Sequence, residues 1–409
     1  MKKRTISGEM IVVVAVMGLG VLAMSVLQPV LPLYLTSIGV PPEVLGIMFS
    51  VAMVGMVLGE SSWGWVADRI GLRLPLLMGT AVSALLVLCF ALTTSVPAIF
   101  LIFFVWGTLR SALFGPGRGY IGTAAPALRK ATFMAIIAVM LSASRSLGAL
   151  PSGFIADTWG YNTVFFASCG IGLAGGCLVL LGLRRRRAAA AQPPASPPSS
   201  AGTLPSRIAA SVFRPLASQC LVAMLQFLGL GVFMTFLPLL ATQVVGVSAT
   251  EVGVLFTISG IVAVVLGIPM GIAADRVGKK TFMVLGLVVS AAAMAGAAFA
   301  DDFPWLVGFV ILHSWGMAMF SPAALGMLSD SIAPQRQSTV MGVYGGVCEN
   351  TGVIAGSALG GLIWSAWGPE ATFLTGTVSG CLGAVVCIAL VKARALRNPG
   401  DGAPDDGCC

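Results

Sequence analysis

Twelve stretches of this chain are each long and apolar enough to cross a bilayer, and little is left between them. They cover residues 10–36, 44–66, 75–95, 97–118, 131–156, 162–183, 217–243, 251–273, 281–300, 304–328, 339–365 and 371–392. A membrane helix needs roughly 20 apolar residues. A backbone in hydrocarbon must satisfy its own N–H and C=O groups, so such runs are expected to be helical. The charged share is 9% against a hydrophobic share of 57%, too little charge to cover a soluble protein of 409 residues. The first run is too long for a removable signal peptide and has no small-residue cleavage site behind it. The expected fold class is an all-α membrane protein of twelve transmembrane helices.

The loops are short, with one exception. The stretch from Arg184 to Pro215 opens with four arginines and continues through Pro193-Pro194-Ala195-Ser196-Pro197-Pro198-Ser199-Ser200. That composition predicts a flexible linker. It divides the chain into a first six-helix bundle (1–183), a linker (184–216), a second bundle (217–393) and a tail (394–409). The basic residues alternate with the loops. Lys2, Lys3, Arg4, Arg69, Arg73, Arg129, Lys130, the arginine run, Arg276, Lys279, Lys280, Arg336, Lys392, Arg394 and Arg397 share one side. The other side carries Glu43, Asp157, Glu251, Asp301, Asp302 and Glu370, with no Lys or Arg. The positive-inside rule then places the linker and both termini in the cytoplasm, with the chain in a plasma (inner) membrane. This asymmetry accounts for the net charge of +8 without a nucleic-acid partner. The lipid bilayer is the partner it implies.

One charged, glycine-punctuated stretch occurs twice. Gly64-Trp65-Val66-Ala67-Asp68-Arg69-Ile70-Gly71-Leu72-Arg73 is followed, half a chain later, by Gly271-Ile272-Ala273-Ala274-Asp275-Arg276-Val277-Gly278-Lys279-Lys280. Such a stretch is expected to form a tight loop at the membrane surface. The repeat extends further: Phe114-Gly115-Pro116 matches Phe320-Ser321-Pro322, and Trp159-Gly160 matches Trp367-Gly368. The two halves thus read as a parallel duplication. Here the chain resembles the major facilitator superfamily, whose signature between helices two and three is G-x-L-A-D-R-x-G-R-K. The first copy departs from it at Leu72, where a basic residue is usual. The first run carries Leu19-Gly20 and Gln28-Pro29-Val30-Leu31-Pro32, and the fourth carries Arg110. The fifth carries Gly148, Pro151 and Gly153. These are similar to motifs of the twelve-helix drug:proton antiporters.

The resemblance implies two pseudo-symmetric six-helix bundles rocking about a midplane site that binds a small-molecule substrate, with protons as the coupling ion. It implies no cofactor. It also implies a gating role for Gly64, Asp68, Arg69, Gly71 and Arg73 and for Gly271, Asp275, Arg276, Gly278 and Lys279, with the carboxylates holding a cytoplasmic latch.

Ionisable groups inside membrane spans cost roughly 2.5–3.5 kcal/mol each on insertion scales, so each needs a reason. Phe103, Trp106, Arg110 and Phe114 fall on one stripe of the fourth run. They either wall a cavity or bury an arginine that ties two helices. Arg145 shares its face with Ser142, Gly148 and Ser152, which equally suits close helix packing. Three groups are candidates for proton coupling: Glu349, with glycines on or beside its face; Glu60, one turn before Gly64; and His313, the sole histidine. Gln28, Gln226 and Asn350 bind substrate or bond adjacent helices. The cysteines Cys89, Cys169, Cys177, Cys381 and Cys387 lie in apolar runs without metal-ligand spacing and read as packing. A lipidated Cys408-Cys409 end has no other support in the sequence. No nucleophile elbow, zinc spacing or phosphate loop is present, so an enzyme is not expected. The expected function is proton-coupled efflux of small, mostly apolar molecules. The alternatives are uptake or exchange of a small organic anion, for which two arginines are suited, and a non-transporting membrane receptor.

Overall fold

The structure, a computed structural model, describes residues 8–117, 120, 130–183, 206–331, 341 and 344–391. Most of the expected linker, the tail, Lys2 to Arg4, Arg129, Arg336, Gly342 and Lys392 lie outside the described residues. The elements are α1 (Gly8–Leu27, resuming as Leu31–Ser37), α2 (Pro42–Ile70), α3 (Arg73–Leu77 through Met78–Val82 to Ser83–Leu92), α4 (Val96–Ser111), α5 (Lys130–Trp159) and α6 (Tyr161–Gly182). They continue as α7 (Ser206–Leu239, extended by Leu240–Val244), α8 (Ala249–Val277), α9 (Lys279–Ala298) and α10 (Phe303–Ser331), then α11 (344–367) and α12 (369–390). Ten segments pass as membrane spans on length and composition. The last of these, Tyr344–Leu390, holds two helices that part at Gly368, where φ is 88°. With α5 the total is twelve, and no strand occurs among the described residues. The chain is therefore an all-α membrane protein with the expected twelve helices.

The repeated stretch differs from its expected form. Gly64 to Arg69 and Gly271 to Arg276 are not loop but the last turns of α2 and α8. The turn itself is short. Gly71 ends α2 with φ 97° and donates its N–H to the Ala67 carbonyl at 2.9 Å; Gly278 ends α8 with φ 126° and bonds Ala274 at 3.0 Å. Only glycine adopts such a φ without steric cost. The charged side chains are thereby carried on rigid helix ends.

One helix also breaks where the sequence removes donors. α1 is interrupted at Gln28-Pro29-Val30, ahead of Pro32, because proline lacks the N–H that a continuous helix needs. Between helices in lipid there is no hydrophobic drive, so close van der Waals packing and hydrogen bonds do the work. Packing divides the interior in an informative way. One apolar core gathers residues of both halves, among them Leu31, Leu35, Leu45, Val232, Phe236 and Val252. All come from the ends of the helices that meet the acidic loops, here called the acidic end. At the opposite, basic end the core splits. One part, with Met17, Leu76 and Val179, belongs to the first half; another, with Met283, Phe320 and Tyr344, belongs to the second.

Candidate functional site

Two seams join the halves at the acidic end. In the first, α2 meets α11. A Cβ on Gly46 would collide with the Ser357 carbonyl, and one on Gly361 would collide with the Pro42 carbonyl. Ser50 Oγ donates to the Ile354 carbonyl at 2.8 Å, and Ser365 donates to the Glu43 carboxylate. In the second seam, α5 meets α8, with Gly153 against Ala249, Gly253 against Ala149 and Gly260 against Ser146. Thr257 Oγ1 donates to the Ser146 carbonyl at 3.2 Å, and Asp157 accepts from the amides of Ala249 and Thr250 at 3.2 and 2.7 Å.

Both seams give out before the helix ends at Ile70 and Val277. Gly267, about two turns beyond Gly260, has nothing within 4 Å of a Cβ position. Gly64 lies about five turns beyond Gly46 on the same face, and it too has open space. At these positions of α2 and α8 nothing of the other half lies close. The result is a cleft between the bundles, sealed at the acidic end and open at the basic end.

The structure brings some sequence candidates together and separates others. Arg110 on α4 lies over Trp106, with Cζ 4.8 Å from the ring centroid, and is an electrostatic neighbour of Arg145 on α5. Its Nη2 approaches the Met56 thioether at 3.4 Å, while its Nε is buried with no hydrogen-bond partner. Arg145 is exposed. Phe103 corrects the stripe expectation: it is fully buried, edge-on to Phe49 at 5.3 Å and Phe90 at 5.1 Å, inside the first bundle. Trp106 is nearly as buried and borders a small void of about 10 Å³, room for about one water, between α1, α3, α4 and α6, within one bundle and not between the two. Periodicity placed these rings on one helix face but could not say which neighbour covers it.

Gln28 reaches across the halves to the Met234 sulfur at 3.1 Å. Gln226 does not face a cavity. It is buried and donates to Ser290 Oγ at 3.1 Å and to Met317 Sδ at 2.9 Å. His313 belongs to the same network, with Nδ1 2.9 Å from Ser290 Oγ and its ring stacked on Phe233 at 4.1 Å. Its buried Nε2 has no hydrogen-bond partner. Asn350 bonds the Gly346 carbonyl of its own helix at 3.1 Å. Glu60 is half-buried against Gly115, four residues past the end of α4.

Glu349 is half-buried and closes a π-helical turn, Tyr344–Glu349, in which the Tyr344 hydroxyl is buried without a partner. Such turns recur at functional sites because they shift the side-chain register within a helix. The glycines expected around Glu349 divide at this turn. Gly352 and Gly356 press on the backbone of α7, whereas Gly346 faces open space.

Three residues that bridge the halves went unread in the sequence: Asp157, Glu43 and Ser365. The two acids served only as markers of topology, and nothing local in the sequence says that they bridge the halves.

The profile of the major facilitator superfamily matches residues 13–218 and again 219–405. The chain belongs to the major facilitator superfamily. It is similar to the multidrug resistance protein MdtG of Klebsiella pneumoniae (strain 342), 23% identical over 393 residues, 92% of this chain and 90% of that protein. Among solved structures it resembles the nucleoside transporter NupG, with a TM-score of 0.77 at 14% identity, covering 94% of this chain and all of that one. It also resembles a bacterial homologue of the lysosomal transporter Spinster in an inward-facing, occupied conformation, with a TM-score of 0.76 at 12% identity, covering 93% and 95%. These likenesses show the same fold. The protein is a membrane transporter of small molecules and not an enzyme.

Proposed function

We propose that the chain is a proton-coupled exporter of small, mostly apolar molecules, held here with its cleft open to the cytoplasm. The observation that carries the alternating-access part is the core that is continuous at the acidic end and split at the basic end. Two bundles sharing one core at a single end can exchange access by moving that shared contact to the other end. The concentration of Lys and Arg on the open side supports assigning that side, the linker and both termini to the cytoplasm of a bacterial inner membrane. Export of apolar compounds rests on full-length similarity to multidrug resistance proteins and on the antiporter-like motifs of α1 and α5.

Glu349 is the proton carrier in this reading. It is half-buried at the junction of a π turn and an α-helix, where a rocking motion changes its surroundings. Glu60 and His313 are its rivals. Glu60 lies near the signature helix end, and His313 is fixed by Ser290 and Phe233. The test is Glu349→Gln in proteoliposomes loaded with a lipophilic cation under an imposed pH gradient. Substrate exchange should survive while uphill accumulation disappears. Normal gradient-driven accumulation by that variant would sink the assignment.

A second reading has one specific observation behind it. The Arg110 Nε is buried without an acceptor, beside a second guanidinium. A substrate carboxylate or phosphate would satisfy it. Counterflow of small organic anions, with lipophilic cations inert, would favour anion exchange over export.

A further inference from the structure

The first four amide N–H groups of a helix have no partner within it, and something else must accept from them. At the start of α8 those partners come from two sources. Ser248 and Glu251 form a reciprocal capping box within the chain: Ser248 Oγ accepts from the Glu251 amide at 3.3 Å, and Glu251 Oε2 accepts from the Ser248 amide at 2.8 Å. The Val252 amide bonds the Ser248 carbonyl at 3.1 Å. The two remaining amides, of Ala249 and Thr250, are taken by the other half of the molecule. Asp157, in the last turn of α5, accepts from both, and its Oδ2 also accepts from the Thr250 hydroxyl at 2.5 Å. A carboxylate at this position also meets the positive end of the α8 dipole.

The two seams are related by the internal repeat, yet their polarity is reversed. Asp157 and Ser365 each stand two residues before the matched tryptophans, Trp159 and Trp367. On α5 the residue accepts from the neighbouring helix start, whereas on α11 it donates, to Glu43. The α5–α8 seam thus carries three hydrogen bonds to one carboxylate, two of them from backbone groups that mutation of α8 cannot remove.

We propose that Asp157 is the latch of the acidic-end gate, a positioning residue that holds the cleft shut on that side by capping α8 across the bundle boundary. When the bundles rock, the carboxylate leaves and two helix-terminal amides lose their acceptor. Hydrogen bonds to a charged group are worth more than neutral ones. Releasing this cap is therefore a main resistance to opening at the acidic end. The inference rests on the alternating-access reading.

Hydrogen exchange of the full chain in lipid nanodiscs tests it, comparing the native protein with Asp157→Asn, Asp157→Glu and Gly253→Ala. In Asp157→Asn, exchange at Ala249 and Thr250 should rise about tenfold or more. The remote α2–α11 seam, 42–50 and 354–365, should loosen with it, while the helix ends 64–70 and 271–277 become more protected. Asp157→Glu should restore much of the native pattern. Gly253→Ala drives a methyl group into the Ala149 carbonyl, so it wedges the same seam by steric means and serves as the reference. A change confined to Ala249 and Thr250, or a rise at both ends, would show a local helix cap and overturn the latch. If Gly253→Ala gives the reciprocal pattern and Asp157→Asn does not, the latch fails and alternating access stands. If neither does, both readings fail.

Discussion

The two copies of the repeated stretch share a consensus but not a set of contacts. In both, a glycine with positive φ ends the helix, and the last basic residue reaches the final helix of its own bundle. Arg73 donates to the Leu180 carbonyl of α6 at 3.1 Å, and Lys280 donates to the Ile388 carbonyl of α12 at 2.9 Å. Each cation lies near carbonyls at the negative end of a helix dipole. One position earlier the copies diverge. Lys279 binds Asp275 at 3.4 Å and Asp330 at 2.6 Å. Leu72 stands in its place in the first copy and offers no charge. Asp68 is consequently exposed and has no partner among the described residues, and Arg69 lies over Trp65, 4.1 Å from the ring centroid. The second copy is spent on holding its own bundle together. The first leaves a carboxylate uncommitted at the open end of the cleft.

That contrast predicts which copy works across the cleft. A carboxylate with no partner in this state contributes nothing to its stability, so neutralising it should leave insertion and substrate affinity nearly intact. In the opposite state, with the basic end closed, the same group is expected to meet cations or a helix start of the other bundle. Asp68→Asn should therefore slow turnover by about tenfold or more, the usual scale for a lost charge-assisted bond. Transport rates in proteoliposomes, with binding measured on the same preparation, check this. Unchanged turnover would reduce the first copy to a topological anchor.

Much of this arrangement was legible in the residues. Long apolar runs placed most helix ends to within a few positions, since a bilayer leaves few other solutions for a backbone; the exception is α7, which begins at Ser206, eleven positions before the expected run and inside the expected linker. The matched signatures and tryptophans gave the internal duplication. What the sequence could not give was partnership. Phe103 and Gln226 fall on helix faces suited to a cavity, but the neighbouring helices cover those faces. The signature residues were expected in a loop because charge and glycine suggest one, yet helix propensity and the late terminator at Gly71 keep them helical. Asp157 and Thr250 lie 93 positions apart, and only packing of the halves reveals that one caps the other.

The second copy should respond differently. Lys279→Met removes both ion pairs while keeping the length of the side chain. Lys279 is 24% exposed and its partners Asp275 and Asp330 are 68% and 57% exposed, so solvent screens much of the attraction. The loss should be at most about 1 kcal/mol, seen as a fall of no more than about 3 °C in Tm, with turnover close to native. A tenfold loss of turnover with Tm unchanged would instead place the second copy in the gate and erase the contrast between the two.

The smallest effect should come from making the copies alike. Leu72→Lys restores the consensus residue and sets a cation four positions after Asp68, the spacing at which Lys279 follows Asp275. The new pair is exposed and local, so it should be worth only about 0.3–0.5 kcal/mol. That energy stabilises the state in which Asp68 is otherwise idle, and the carboxylate must be released before the basic end can close. A penalty of this size corresponds to roughly a twofold slowing of turnover. It should be largest at low salt, where exposed charges are least screened, and fade as ionic strength rises. The combination with Asp68→Asn separates this from a general disturbance of the turn. Once the carboxylate is neutral the lysine has nothing to hold, so the double variant should turn over no more slowly than Asp68→Asn alone. Further slowing in the double variant would mean that Leu72 acts through packing in the first bundle and not through the freedom of Asp68.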